Sequence, residues 1–227
     1  MTNGIVLSLN VGGSEPNPAK RDAGVTGIGK RPVDHAVTVR RPGPKTTGLH
    51  SGVVGDFIGD TKHHGGDDQA IYAYAVEDYA WWAAELGREL APGLFGENLT
   101  TEGVDVYNAV IGERWHVGDT VVLETTFGRI PCSTFQHRMG EPRWIKRFAA
   151  SNRTGAYLRI LQEGEIRPGD RIRVADRPAH GLTVSEAFAV YMHAPETLSR
   201  LLVADALPSS LRDEVIRRQA TSAPSEA

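Results

Sequence analysis

The chain of 227 residues predicts a mainly β (α+β) fold: a strand-rich, barrel-like body with inserted helices, followed by a small segment of three helices. Three observations carry this. Six short runs that alternate or are rich in β-branched residues recur between residues 5 and 175, two stretches among them repeat apolar residues at helical spacing, and beyond about residue 180 only helical patterns remain.

Taken in order, "IVLSLN" (5–10), "HAVTVR" (35–40) and "AIYAYA" (70–75) read as strands. Tyr79, Trp82, Leu86 and Leu90 then recur at steps of three and four, which predicts a helix over about 77–90 with one face in the core. "GLFGENLTTEG" (93–103) is punctuated by glycine and reads as a loop. "TVVLETTF" (120–127) is a strand, and Cys132 falls just past its end. A second helix is expected to begin with Pro142 in its first turn, turning Trp144, Ile145 and Phe148 inward and Arg143, Lys146 and Arg147 outward. "AYLRILQ" (156–162) and "RIRVA" (171–175) complete the strands, with Gly118-Asp119 and Gly169-Asp170 as turns before two of them. Thr183 and Glu186 form a capping-box pattern, and Pro195 and Pro208 suit first turns, so helices are expected near 184–193, 195–205 and 208–219. The organisation that follows is a barrel domain over 1–178, a three-helix segment over 179–220 and a disordered polar tail over 221–227.

Lys and Arg total 25 against 28 Asp and Glu, a formal charge of -3. With aromatics at 7%, this argues against a nucleic-acid partner, although six basic residues against one acid lie between Arg138 and Arg159. A single cysteine permits neither an intramolecular disulfide nor an iron–sulfur cluster. No export signal and no membrane-length apolar run are visible, so the expectation is a soluble, cytoplasmic protein with no membrane partner.

Four segments have compositions that core packing does not require. "TKHHGGDDQA" (61–70) surrounds the flexible Gly65-Gly66 pair with Lys62, His63, His64, Asp67 and Asp68; such a loop can bring backbone N–H groups to a ligand or be ordinary surface. The 93–103 stretch offers Glu97, Asn98 and Thr100, and an Asn amide suits the edge of a heterocycle. "TGIGKRPVD" (26–34) lacks the full dinucleotide pattern but carries Lys30 and Arg31. "GRIPCSTFQHRM" (128–139) sets Cys132 near Arg129, His137 and Arg138, cations that favour a thiolate, a nucleophile and soft metal ligand; a buried cysteine is the structural alternative.

Together, "GKRPV", "GDTKHHGGDDQAIYAY", "LFGENLTTEGVDVYNAVIGERWHVGD", "RIPC" and "TGAYLRILQEGEI" followed by "PGD" resemble the MOSC domain family, named for the C-terminal domain of molybdenum cofactor sulfurases, and within it the stand-alone YiiM-like proteins with their three-helix C-terminal segment. The chain departs from many relatives in having Gly128 where proline precedes the arginine and Asp67 where proline follows the glycines. The resemblance implies a MOSC-type β-barrel in which Cys132 ligates the molybdenum of a molybdopterin-type cofactor. It implies two-electron, detoxifying reduction of N-hydroxylated compounds (hydroxylamino purines, amidoximes, hydroxylamines), with electrons from a separate reductase. His63, His64, Gly65, Gly66, Asn98 and Arg129 would line the pterin and substrate site, with either histidine as proton source. Lys30, Arg31 or the basic residues after Cys132, Arg138 and Arg153 among them, would meet the phosphate. The rival reading is a non-catalytic cofactor-holding module or a persulfide carrier through Cys132, and a homodimer is a family-level expectation.

Overall fold

The computed structural model describes residues 3–22 and 24–222. Its strands are β1 (Asn3–Val11), β2 (Glu15–Pro16), β3 (Val25–Thr26), β4 (Arg31–Val33), β5 (Val37–Val39), β6 (Ile71–Ala75), β7 (Leu99–Glu102), β8 (Arg114–Val117), β9 (Val121–Phe127), β10 (Ala156–Gln162), β11 (Gly164–Ile166) and β12 (Arg171–Ala175). Seven of them, in the order β12, β8, β9, β10, β6, β7, β1, close a barrel through the pairing of β1 with β12. All neighbours in the ring are antiparallel except β6 and β7. Closure leaves no unpaired edge in the ring, so short strands suffice.

Alternation sets which side chains fill the barrel. Val121, Leu123 and Thr125 of β9 and Ala156, Leu158 and Ile160 of β10 are buried. β6 is buried on both faces: Ile71 and Ala73 join the barrel core, while Tyr72 and Tyr74 join a second, aromatic cluster. The predicted strand over 35–40 shrinks to β5, which pairs with β11 outside the ring. Conversely, four of the eleven residues in the predicted 93–103 loop form strand β7. Its polar sequence hides it, because Thr100 and Thr101 are fully buried and Thr100 is satisfied by Glu97 and Asn10.

Helix α1 (Val76–Leu86) stops short of residue 90 because Gly87 takes a left-handed conformation and its N–H caps the Ala83 carbonyl. Helix α2 (Ser133–Met139), which begins directly after Cys132, was not expected. Helix α3 (Trp144–Ser151) begins after Arg143, itself left-handed, so Pro142 precedes the helix and does not sit in its first turn. Trp144 and Phe148 are buried as expected, and Ile145 is half-buried. Trp82, Phe95, Phe135, Trp144 and Phe148 interlock with ring centroids 4.6–6.4 Å apart, fixing α1, α2 and α3 to one another.

The C-terminal segment contains α4 (Val184–His193) and α5 (Ser209–Ser222). Between them lies the helix expected near 195–205, which spans Pro195–Val203 and winds as a 3-10 helix. The capping box of α4 is present in both directions, with Thr183 Oγ1 accepting from the Glu186 N–H at 3.1 Å and Glu186 accepting from the Thr183 N–H at 3.0 Å. Val184, Phe188, Leu201 and Val215 belong to the same core cluster as the barrel strands, so this segment packs as part of the body. Helix α5 runs through Ser222; the rest of the tail expected over 221–227 lies outside the described residues. Among the described residues no helix is long and apolar enough to cross a membrane.

Candidate functional site

Past the end of β9 the chain bends through Gly128 to Cys132. A side chain at 128 would meet Thr154 Oγ1 at 2.3 Å, which explains glycine at this position. The bend drives Arg129 inward and leaves Cys132 half-buried at the start of α2. Cys132 lines two linked cavities, an outer chamber of about 550 Å³ and an inner recess of about 90 Å³. Asp60, His64, Gln69, Thr134 and Tyr157 also line both. Tyr191, Leu211 and Glu214 of the C-terminal segment form part of the outer wall.

Arg129 is 5% exposed. Its Nη1 donates to the Phe95 carbonyl, and its guanidinium lies over the rings of Phe135 (4.2 Å) and Tyr72 (5.1 Å). Its Nε is buried with no hydrogen-bond partner, and among the described residues no carboxylate forms an ion pair with it. Burial works against its charge, but Tyr157, Tyr72 and Cys132 more than offset this and keep it protonated. Burial likewise raises the phenols of Tyr72 and Tyr157, which stay neutral.

The other candidates divide. His64 lines both cavities, and burial, reinforced by Arg129, lowers its pKa to about 4. His63 sits at the rim, where Nδ1 is 3.0 Å from both Asp60 carboxylate oxygens and 3.2 Å from Lys20 Nζ. Burial pushes Asp60 up, yet the hydrogen bonds from Lys20 and His63 and their charges prevail and hold it at about 2. Lys20 is raised, chiefly by Asp60 and partly by the charge of Cys132.

Lys30 and Asn98 reach the inner recess but are spent on structure. Lys30 forms an ion pair with buried Asp56, which also accepts from Ser51 Oγ, the Gly12 N–H and Asn98 Nδ2. Asn98 additionally donates to the Asn10 carbonyl and accepts from the Tyr72 N–H, so its amide has no edge left for a heterocycle. The Gly65 N–H goes to Gln69 and the Gly66 N–H to His50. Both glycines have positive φ, and a Cβ would meet His50 O at 2.6 Å or Lys45 Cα at 2.7 Å, so they serve loop packing more than ligand approach.

Gly66, Arg31, Arg138 and Arg153 line neither cavity. Arg31 is exposed on β4, Arg138 flanks a shallow groove with Asn17 and His137, and Arg153 pairs with Asp78 at 2.5 Å between Trp81 and Tyr107. Sequence reasoning missed Lys20, Asp56 and Tyr191. Asp60 and Tyr157 lay inside quoted blocks without being singled out.

The chain is thus a small closed β-barrel protein in which its single thiol, Cys132, and a buried cation with no carboxylate partner among the described residues, Arg129, face one cleft. The model of the MOSC domain matches residues 60–173. Bacillus subtilis (strain 168) protein YflK is 32% identical over 219 residues, covering 94% of both chains. A protein named "Reductase" from Gibberella moniliformis is 32% identical over 178 residues, 77% of this chain but 32% of that protein. The crystal structure of YiiM from Geobacillus stearothermophilus matches with a TM-score of 0.76 and 26% identity over 95% of this chain and 98% of that one. The chain belongs to the MOSC domain family and within it is YiiM-like.

Proposed function

We propose that the cleft holds a molybdopterin-type cofactor with Cys132 as the protein's ligand to molybdenum, and that the protein reduces small N-hydroxylated compounds with electrons from a separate reductase. The observation that carries this is Arg129: a buried guanidinium with an orphaned Nε and no carboxylate partner among the described residues, lining the same recess as the only thiol of the chain. Such a cation is costly unless an anion completes it. Among the described residues no three His, Cys, Asp or Glu side chains converge as a metal site, so Cys132 would hold a metal that the cofactor itself brings. When bound, the cofactor supplies the two-electron chemistry that breaks the N–O bond.

The chain's own residues supply position and protons. Arg129 receives negative charge, and Tyr72 and Tyr157 shape the recess and exclude water. His64, neutral near pH 7, offers an imidazole N–H to the departing oxygen and is not an imidazolium acid. At the rim, Asp60 accepts the His63 Nδ1 proton when His63 carries it there, and Lys20 donates to the same nitrogen when it does not. His63→Ala and His64→Ala are expected to lower turnover with molybdenum retained; full activity in both single variants and the double removes histidine from the proton path.

Cys132 lines the outer chamber beside Lys20 and the inner recess beside Arg129, and an accessible thiol near cations also suits the rival reading, a persulfide carrier or non-catalytic cofactor holder. Molybdenum per chain decides, measured by elemental mass spectrometry on wild type and Cys132→Ser from a host that makes molybdopterin. Near-stoichiometric metal in wild type and loss in the variant supports the ligand. A persulfide on Cys132 with no metal, from a host that loads another molybdoenzyme, overturns it in favour of the carrier.

A further inference from the structure

A second, wider groove of about 1060 Å³ adjoins the outer chamber and shares Lys45, His63, Asp68, Gln69, Pro208 and Ser210 with it. Five cations line it against three carboxylates, on a chain whose formal charge is -3. Two of those cations are neutralised. Arg159 binds Asp68 and Glu124, and Arg212 lies 3.9 Å from Asp205. The other three, Arg41, Lys45 and Lys62, form no ion pair with any carboxylate among the described residues. Arg41 donates to the carbonyls of Ile160 and Leu161, and Lys45 to that of His63 at 3.3 Å. A carbonyl satisfies a donor without cancelling its charge, so the groove keeps a positive excess next to the cleft.

The partition of charge matters. Beside Cys132 the outer chamber has apolar walls in Ile130, Pro131, Tyr157 and Leu211, suited to a flat ring. Some way along the same opening, Lys45 connects the chamber to the cationic groove. A ligand that spans both has an uncharged ring at one end and several negative charges at the other. We infer that the groove is a phosphate subsite, and that the substrates of the Cys132 cleft are N-hydroxylated nucleoside phosphates more than free bases. This deepens the proposed function and rests on that reading of the cleft.

The test is a calorimetric titration with adenosine and with ADP, which present the ring without a reducible N–OH group. It is read whether or not the sample turns over, with molybdenum content measured separately, so a failed cofactor assignment and a failed groove assignment are distinguishable. ADP is expected to bind wild type at least tenfold more tightly than adenosine, and the preference to weaken with added salt. The double variant Lys45→Gln/Lys62→Gln is expected to abolish the preference, and Lys62→Gln alone, an exposed position that lines the groove and not the chamber, to weaken it and leave adenosine affinity unchanged. Lys146→Gln, on α3 and outside the groove, is expected to change neither. Equal affinity for the two ligands, a preference that survives the double variant, or an equal loss in Lys146→Gln overturns the inference. A nucleotide extension of the pterin would carry the same phosphate chemistry. Acid release of the bound cofactor separates the two sources: no nucleoside monophosphate, with ADP bound, supports the substrate subsite, whereas a released nucleotide with ADP excluded assigns the groove to the cofactor and overturns it.

Discussion

Two cations are buried against the same inner recess, Lys30 at 8% and Arg129 at 5% exposure, and their surroundings are opposite. Lys30 is closed off: Asp56 neutralises it, and Ser51, Gly12 and Asn98 satisfy the carboxylate in turn. Arg129 has one carbonyl, two aromatic faces and an orphaned nitrogen. A buried charge that is fully paired costs little to keep in the scaffold, whereas one left incomplete is costly until a partner completes it. The contrast separates residues that look equivalent in sequence, since both are basic and both sit near glycines.

The contrast breaks most sharply at Asp56. Asp56→Ala strands Lys30 in the interior and removes the acceptor shared by Ser51 and Asn98. The expected loss is about 3–5 kcal/mol of unfolding free energy, the usual cost of an uncompensated buried charge. Urea denaturation measures it. A loss under about 1 kcal/mol would mean that the network is wet and that Lys30 is no more structural than Arg129.

His64 records the field of the unpaired arginine. Its pKa is about 4 in the fold, depressed first by burial and then by Arg129, against about 6.5 in an unfolded chain. The unfolded state therefore binds a proton between those values that the fold refuses. Stability is fully present above about pH 6.5 and falls as pH drops toward about 4, by about 2–4 kcal/mol. His64→Gln is expected to flatten that window in urea melts at stepped pH. It leaves untouched the loss at lower pH due to Asp60, which is held at about 2 and gives up its contribution only as it protonates. An unaltered pH profile would show that His64 titrates normally and that the recess is open to water.

How much of this could be read from the sequence depends on where each partner lies. The barrel was legible where strands alternate, as in β9 and β10, and not in β7, where buried threonines imitate a loop. Helix α2 was hidden because seven residues carry too little periodicity to register. At the site, Cys132, His64 and Arg129 fall inside distinctive blocks. The roles of Asp56, Lys20 and Tyr157 arise only when distant segments meet; Lys20 and Asp60 are 40 residues apart, and Lys30 and Asp56 are 26 apart. The basic run from Arg138 to Arg159 misleads for the same reason. A local charge count cannot see that Arg153 meets Asp78 from 75 residues away, or that Arg159 meets Asp68 from 91.

The smallest stability effect is expected where the functional effect is large. Arg129→Met removes one hydrogen bond and two ring contacts, and it also removes the desolvation cost of an unpaired charge; these oppose each other, so the net change should stay within about 1 kcal/mol. Lys30→Met, in the same melts, leaves the Asp56 carboxylate hydrogen-bonded by Ser51, Gly12 and Asn98 but without its cation, and should cost about 3–5 kcal/mol. Molybdenum per chain then gives the second axis. Arg129→Met should melt like wild type and, under the proposed function, arrive without metal, because the cation that would receive the ligand's charge is gone while the barrel is intact. If instead Arg129→Met is as unstable as Lys30→Met, the guanidinium is scaffold after all, and the orphaned Nε marks an internal water and not a ligand.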